Sequence, residues 1–308
     1  MSTDITTQQL NEKIAADPQA LIKESEAALM AEIEKTADAI IASAAQKPLI
    51  FISGPSGSGK TTTAVKMRQV LQAKGYPVCY ISMDRYLKTF TEEERRLKLR
   101  KKIDLESPER LDMDFLRQEL QALVAGERIR LPEYDFSTNT RTLTDQWICR
   151  DGGFIIVEGI HALNPDILDG DEANTNRIYV SVRTRVIDSA GNKLHPCKIR
   201  LLRRMLRDKL FRARSAEQTV VMFPSVQYGE KRYILPYKYR ANYHIDTFLS
   251  YEPALYRADL PELKRLSAQY ADIRDAVEAL DELLPMQNEG IPSDALIREF
   301  IGGSSLQY

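Results

Sequence analysis

Residues 54–61 read Gly54-Pro55-Ser56-Gly57-Ser58-Gly59-Lys60-Thr61, a loop of the form G-x-x-x-x-G-K-T. An apolar run at 49–52 precedes it and a helix-like stretch at 62–71 follows. Strand, loop and helix in that order are the context in which such a loop wraps phosphate. The small residues Gly54, Ser56, Gly57, Ser58 and Gly59 let the backbone close around an anion. Successive N–H groups then point inward, and the helix adds the positive end of its dipole. Lys60 is expected to reach the β- and γ-phosphates of a nucleoside triphosphate, and the Thr61 hydroxyl to ligate Mg²⁺. Thr62, next along the helix, is grouped with the nucleotide-binding residues. A chance glycine-rich turn is the competing reading.

The rest of the chain fits a sheet that could carry such a loop. Short apolar runs at 49–52, 78–82, 154–157 and 178–182, with a weaker one at 243–245, alternate with charged, helix-like stretches. The runs lack polar alternation, as expected of strands covered on both faces. The predicted fold class is α/β: a P-loop NTPase fold with a mainly parallel five-stranded sheet flanked by helices. Its ligand would lie at the carboxyl ends of the strands. Two of those ends carry an acid, Asp84 after 78–83 and Glu158 after 154–157. An acid after a strand is commonly a cap or turn residue. Beside a P-loop it can hold Mg²⁺ or orient an attacking hydroxyl.

Helical extensions are expected at both ends, giving zones 1–46, 47–265 and 266–308. Asp17-Pro18 is a helix start signal. Leu21, Ile22, Leu29, Ile33, Ile40 and Ile41 then recur at helical spacing. That stripe suits a helix packed on its own domain or a modest dimer contact, with a coiled-coil partner face as the alternative. Thr91-Glu92-Glu93-Glu94 reads as a capping box. The last zone should be mostly helical to residue 284, with a short final helix opening at Ser293-Asp294, and the sequence assigns it no chemistry.

Composition removes several function classes. Forty-three Lys and Arg face forty-four Asp and Glu, for a formal charge of −1, so this is no global polycation built for nucleic acid. Three cysteines form no CxxC pair and three histidines are scattered, against a disulfide scaffold or a His/Cys metal centre. No apolar run approaches the ~20 residues of a membrane helix, and no signal region opens the chain. A cytoplasmic location follows as the expectation, with no membrane or nucleic-acid partner and homo-oligomerisation left open.

Five segments in order carry a family resemblance: 54–62 (GPSGSGKTT), 82–87 (SMDRYL), 132–141 (PEYDFSTNTR), 157–165 (VEGIHALNP) and 200–219 (RLLRRMLRDKLFRARSAEQT). Together they resemble the uridine kinase and phosphoribulokinase family, and within it a bacterial uridine kinase-like, or nucleoside kinase, branch. The likeness runs from residue 48 to the C-terminus and leaves the first 46 residues uncovered. It implies phosphorylation of a nucleoside 5′-hydroxyl by ATP or GTP with Mg²⁺. On that likeness Asp84 is the general base and Glu158 helps hold Mg²⁺. Tyr134 and Phe136 wall the nucleoside pocket, and Asp104 or Asp112 binds ribose hydroxyls. Tyr86, Asn139 and Gln218 lie toward the acceptor. Two positions depart from the family pattern: Leu87 and Asn139 stand where its pyrimidine-reading members carry Tyr and His. The departures leave a kinase and put the base in question.

Arg200, Arg203, Arg204 and Arg207 fall on one helical face, followed by Arg212 and Arg214. A solvated basic face is the ordinary meaning of such a run, and a nucleic-acid stripe is another. The family resemblance implies a lid that closes over triphosphate, with Arg207 catalytic, Arg212 and Arg214 on the nucleotide and Arg203 near substrate. A second basic run, 95–102, is expected to be a solvated helix face. The main alternatives to a nucleoside kinase are a same-fold kinase for another hydroxylated metabolite and an NTP-binding regulatory or RNA-associated module. The intact set of Lys60, Thr61, Asp84 and Glu158 argues against the latter.

Overall fold

A computed structural model describes residues 4–43, 47–99, 104–168 and 172–307. In chain order the strands are β1 (Asp4–Thr6), β2 (Leu49–Ser53), β3 (Val78–Ser82), β4 (Ile129–Asp135), β5 (Thr140–Ile148), β6 (Phe154–Glu158), β7 (Thr175–Ser181), β8 (Arg185–Ile187), β9 (Lys193–Leu194) and β10 (Tyr243–Asp246). The helices are α1 (Thr7–Ala16), α2 (Pro18–Ile41), α3 (Lys60–Ala73), α4 (Glu92–Leu99), α5 (Met113–Val124), α6 (Pro165–Leu168), α7 (Pro196–Phe211), α8 (Ala216–Tyr233), α9 (Glu252–Leu255), α10 (Leu260–Ser267), α11 (Arg274–Asp281) and α12 (Arg298–Ile301).

The central sheet has the order β10-β7-β2-β6-β3, and every pairing in it is parallel. All five apolar runs read from the sequence are its strands. β7 begins three residues earlier than its apolar run because Thr175 and Asn176 are polar yet buried. The Asn176 amide is satisfied by donating to the Lys47 carbonyl at 3.0 Å. β2 is the middle strand. The chain leaves it for β3 on one side and later crosses to β7 on the other, so the loop after β2 sits at the switch in strand order.

The N-terminal stripe packs on the molecule itself. Leu21, Ile22, Leu29, Ile33 and Ile40 are buried and share one apolar cluster with Ile50, Ile52, Met67 and Ile178 of the sheet layer and with Leu296 and Phe300 from the C-terminal end. Asp17 caps α2 through Gln19 and Ala20 N–H, as its sequence suggests. The Thr91 capping box also forms, with Glu94 N–H on Thr91 Oγ1 and Thr91 N–H on Glu94 Oε2. The basic run 95–102 starts on α4, and residues 100–102 lie outside the described residues.

β4 and β5 form an antiparallel hairpin with no counterpart among the apolar runs of the sequence. β5 is largely solvent-exposed, so it carries no buried-strand signature. The final helix begins at Arg298 rather than after Ser293. Among the described residues no helix is long and apolar enough to cross a membrane.

Candidate active site

The P-loop runs from the end of β2 to the first turn of α3. Gly59 closes it in the left-handed region, at φ 79°, and a Cβ there would also stand 2.7 Å from Leu296 Cδ1. Only glycine meets both demands. Three arginines of α7 grip the outer side of the loop. Arg200 donates to Ser56 O at 3.0 Å, Arg203 to Gly57 O at 3.2 Å, and Arg204 to Ser56 Oγ. Thr247 Oγ1 adds a bond to Ser58 O at 2.6 Å.

Arg203 corrects an expectation. It is fully buried, with Nε at 2.6 Å and Nη2 at 2.7 Å from the Glu252 carboxylate and Nη2 also 2.6 Å from Thr247 O. Every donor is spent inside the protein, so Arg203 shapes the P-loop from behind and touches no substrate. Arg200, paired with Glu230 at 2.7 Å, does the same. A parallel i, i+3, i+4 face thus belongs mostly to the scaffold. Arg207, one turn further on, lies 3.8 Å from Glu299. Arg212 and Arg214 stand on the segment after α7 and share Asp208 at 3.3 and 3.6 Å.

Parallel register brings the acids to the loop. Glu158 ends β6 opposite Ile52 on one side and Ser82 on the other. Its Oε1 lies 3.6 Å from Lys60 Nζ, and Tyr80 donates its hydroxyl to Oε2 at 3.2 Å. Burial pushes the Glu158 carboxyl up to about 7; Lys60 opposes the rise, while Asp84 and Glu299 add to it. Asp84 follows β3 on a short 3-10 turn, Met83–Tyr86, and is exposed. Thr61 is half-buried at the second position of α3. No cluster of three or more His, Cys, Asp or Glu suited to a metal exists among the described residues. One hydroxyl and one or two carboxylates remain as donors. That hard-oxygen set fits Mg²⁺, which takes few protein ligands and completes its shell with phosphate and water. Thr62, the next residue, is buried and donates its hydroxyl to Glu299 at 2.7 Å.

Two further acids lie at the site, Glu106 and Glu299, neither marked by a motif in the sequence. Glu106 is half-buried, close enough to Arg204 and Lys60 to be held down by them and to Asp84 and Asp104 to be pushed up. Burial dominates and raises its carboxyl above the ordinary value. Gly229 of α8 makes room for it: a Cβ at 229 would lie 2.4 Å from Glu106 Cβ. The segment 104–114 holds five acids, so the sequence offers no ranking among them. Asp104 accepts from the Tyr233 hydroxyl at 3.0 Å. Asp112 caps α5 and is paired with Arg141 at 2.8 Å. His161 lies buried nearby, its pKa depressed by burial to about 4, edge-on to Tyr233.

The hairpin packs beside the Asp84 turn, tied to it by Arg85, which donates to Pro132 O at 3.0 Å. Tyr134 is buried and meets Phe136 edge-to-face at 5.1 Å, while Phe136 is 61% exposed. Tyr86, expected toward the acceptor, turns inward instead. It is fully buried against Phe115, and its hydroxyl donates to Glu119, so it is a core residue rather than a substrate contact. Leu87 beside it is half-buried. Asn139 has φ 56°, and its backbone bonds to Asp135 and Phe90. A left-handed turn position favours Asn for backbone reasons alone. Gln218 forms a capping box with Ser215 and is exposed.

The sequence profile of the phosphoribulokinase/uridine kinase family matches residues 49–250. A uridine kinase of Macrococcus caseolyticus is 32% identical over 179 residues, 58% of this chain and 77% of that one. A uridine kinase of Deinococcus deserti is 29% identical over 175 residues, 57% of this chain and 75% of that one. Among solved structures, a protein of Silicibacter sp. TM1040 described as a fructose transport system kinase superposes with a TM-score of 0.50. It shares 20% identity over 65% of this chain and 89% of its own, a likeness of fold.

Proposed function

The chain belongs to the phosphoribulokinase/uridine kinase family of P-loop kinases that act on an alcohol group, and on that premise we propose that it transfers the γ-phosphoryl group of ATP to the 5′-hydroxyl of a nucleoside, uridine or cytidine. One observation carries the reading. Asp84 stands exposed at a strand end near Glu158, the carboxylate that faces Lys60, on a turn that packs against the Tyr134–Phe136 hairpin.

The residues divide the work as follows. The P-loop amides and Lys60 hold the β- and γ-phosphates. Arg207, Arg212 and Arg214 add cationic groups on the α7 side, where planar guanidinium suits phosphate oxygens. Asp84 accepts the proton of the acceptor hydroxyl as its oxygen bonds to γ-phosphorus and the bond to the ADP oxygen breaks. Thr61 and Glu158 would hold Mg²⁺, which when bound would supply charge neutralisation to the phosphates. In this reading Glu106, near Lys60 and Asp84, meets acceptor hydroxyls in place of Asp104 or Asp112. Tyr134 and Phe136 offer aromatic wall for a base. Free Cys79, Cys149 and Cys197 suit a reducing, cytoplasmic setting.

A second reading, a kinase for another hydroxylated metabolite, draws on the same pocket. Leu87 offers no hydrogen bond, and Asn139 is explained by its turn. Arg95, which donates to Thr138 O at 2.6 Å, brings positive charge to the wall, while Arg110, 4.0 Å from the Phe90 ring, is neutralised by Glu94 at 2.6 Å. Such a wall would tolerate an acidic acceptor.

The test is ADP release with a panel of nucleosides, polyols, sugar phosphates and organic acids, on wild type and on Leu87→Tyr/Asn139→His. Acceptor-dependent release with uridine and cytidine at low selectivity is expected, sharpening in the double variant. Release with only an acidic acceptor supports the second reading. Release independent of every acceptor overturns both.

A further inference from the structure

The structure points to a working role for the C-terminal segment, which lies beyond the family match at 49–250. We propose that Glu299 of α12 is a positioning residue of the active site, holding the Arg207 guanidinium and the Thr62 hydroxyl where phosphoryl transfer needs them.

The segment is fixed to the nucleotide loop. Leu296 fills the space above Gly59. Asp294 pairs with Lys66 of α3 at 2.8 Å. Arg298 ties the turn before it together through Ile291 O at 2.9 Å. Leu296, Ile297 and Phe300 are fully buried, so α12 has one seat.

From that seat Glu299 reaches into the site. Its side chain is only 12% exposed. Oε2 accepts from Thr62 Oγ1 at 2.7 Å, and Oε1 lies 3.8 Å from Arg207 Nη1. Beneath the guanidinium lies the Phe300 ring, with centroid 5.9 Å from Arg207 Cζ and 5.2 Å from Arg203 Cζ. Arg207 needs such a counterion. Its side chain is only 14% exposed, its Nε has no hydrogen-bond partner, and Arg204 repels it, while Asp208 and Asp84 assist. Remove the Glu299 charge and the guanidinium gains by swinging toward water. At 3.8 Å the pair is an ion pair without a tight hydrogen bond, so phosphate oxygens can recruit Arg207 without first breaking one.

The inference rests on the kinase reading. Acceptor-independent ATP hydrolysis is therefore followed beside transfer, so that a failed nucleoside assignment leaves the Glu299 test readable. Glu299→Gln keeps shape and the Thr62 bond and removes the charge. It is expected to lower kcat about 10- to 100-fold, the scale of a catalytic group misplaced by ~1 Å. KM for ATP, the Kd for Mg-ADP by calorimetry and the melting temperature should hold. Glu299→Asp, which keeps the charge, should retain more kcat than Glu299→Gln. In an Arg207→Ala background, Glu299→Gln should cost less than about twofold further, because its target is gone. Three results would overturn the proposal: wild-type kcat in Glu299→Gln, the full loss repeated in the Arg207→Ala background, or a loss of kcat that tracks a lowered melting temperature.

Discussion

Lys60 Nζ stands 3.6 Å from Glu158 Oε1, a cation on the first turn of α3 facing a buried carboxylate at the end of β6. Burial outweighs the ammonium, and the carboxyl titrates near 7 instead of 4.5. Below about pH 4.5 the group is neutral folded or unfolded. As pH rises toward 7, the unfolded chain gives up this proton while the folded one keeps it, so stability falls across that window. In metal-free protein, Glu158→Gln should melt a few degrees above wild type at pH 8, with the gap nearly closed at about pH 4. Thermal melts in a chelator at the two pH values check this. A wild type that is the more stable at pH 8 would contradict it.

Lys60→Ala should reduce phosphoryl transfer by at least two orders of magnitude. A fixed cation aimed at charge that grows during transfer is worth roughly 3–4 kcal/mol when removed from a preorganised site. Lys60 is no part of the apolar core, so the melting curve should stay cooperative. Turnover by ADP release and circular dichroism on the same preparation separate the two effects.

Asp84 and Glu158 should fail differently. Asp84→Asn loses the proton acceptor, and kcat should fall about 10²- to 10⁴-fold with ATP affinity retained. Glu158→Gln should instead raise the Mg²⁺ concentration required for half-maximal rate. A Mg²⁺ titration of both variants decides. A shifted requirement in Asp84→Asn alone reverses the division of roles.

Arg212 and Arg214 carry partly exposed side chains on the segment after α7, where Ala213 adopts φ 49°. Saturating Mg-ATP should draw both onto phosphate and slow trypsin at these bonds. Mass spectrometry of timed digests reports the cleavage sites. Equal cleavage with and without nucleotide would count against closure.

Gly229→Ala should act on the acceptor and spare the nucleotide. The added methyl meets Glu106 Cβ at 2.4 Å, and one of them has to move. KM for the acceptor should rise about tenfold, roughly 1.4 kcal/mol, with KM for ATP unchanged. Alanine is the better helix former, so a lowered melting temperature would indicate general damage instead.

The sheet and its loop are legible in residue order alone. Five apolar runs without polar alternation could only be covered strands, and the octapeptide after the first could close only with small residues and Lys60-Thr61 at the helix start. Asp84 and Glu158 were legible because strand ends in a parallel sheet converge on one edge. Thr175 and Asn176 hid the start of β7, since hydrogen bonding rather than apolarity makes their burial tolerable. Periodicity placed the arginines on one face but could not say what that face meets. Glu252, forty-nine residues away, takes Arg203 into the interior, and Glu119 does the same for the Tyr86 hydroxyl. Glu106 and Glu299 were invisible for the same reason. What a carboxylate meets depends on packing across the chain, and folding alone sets Gly229 against Glu106 and brings the C-terminal segment back over Gly59, so that Glu299 meets Arg207.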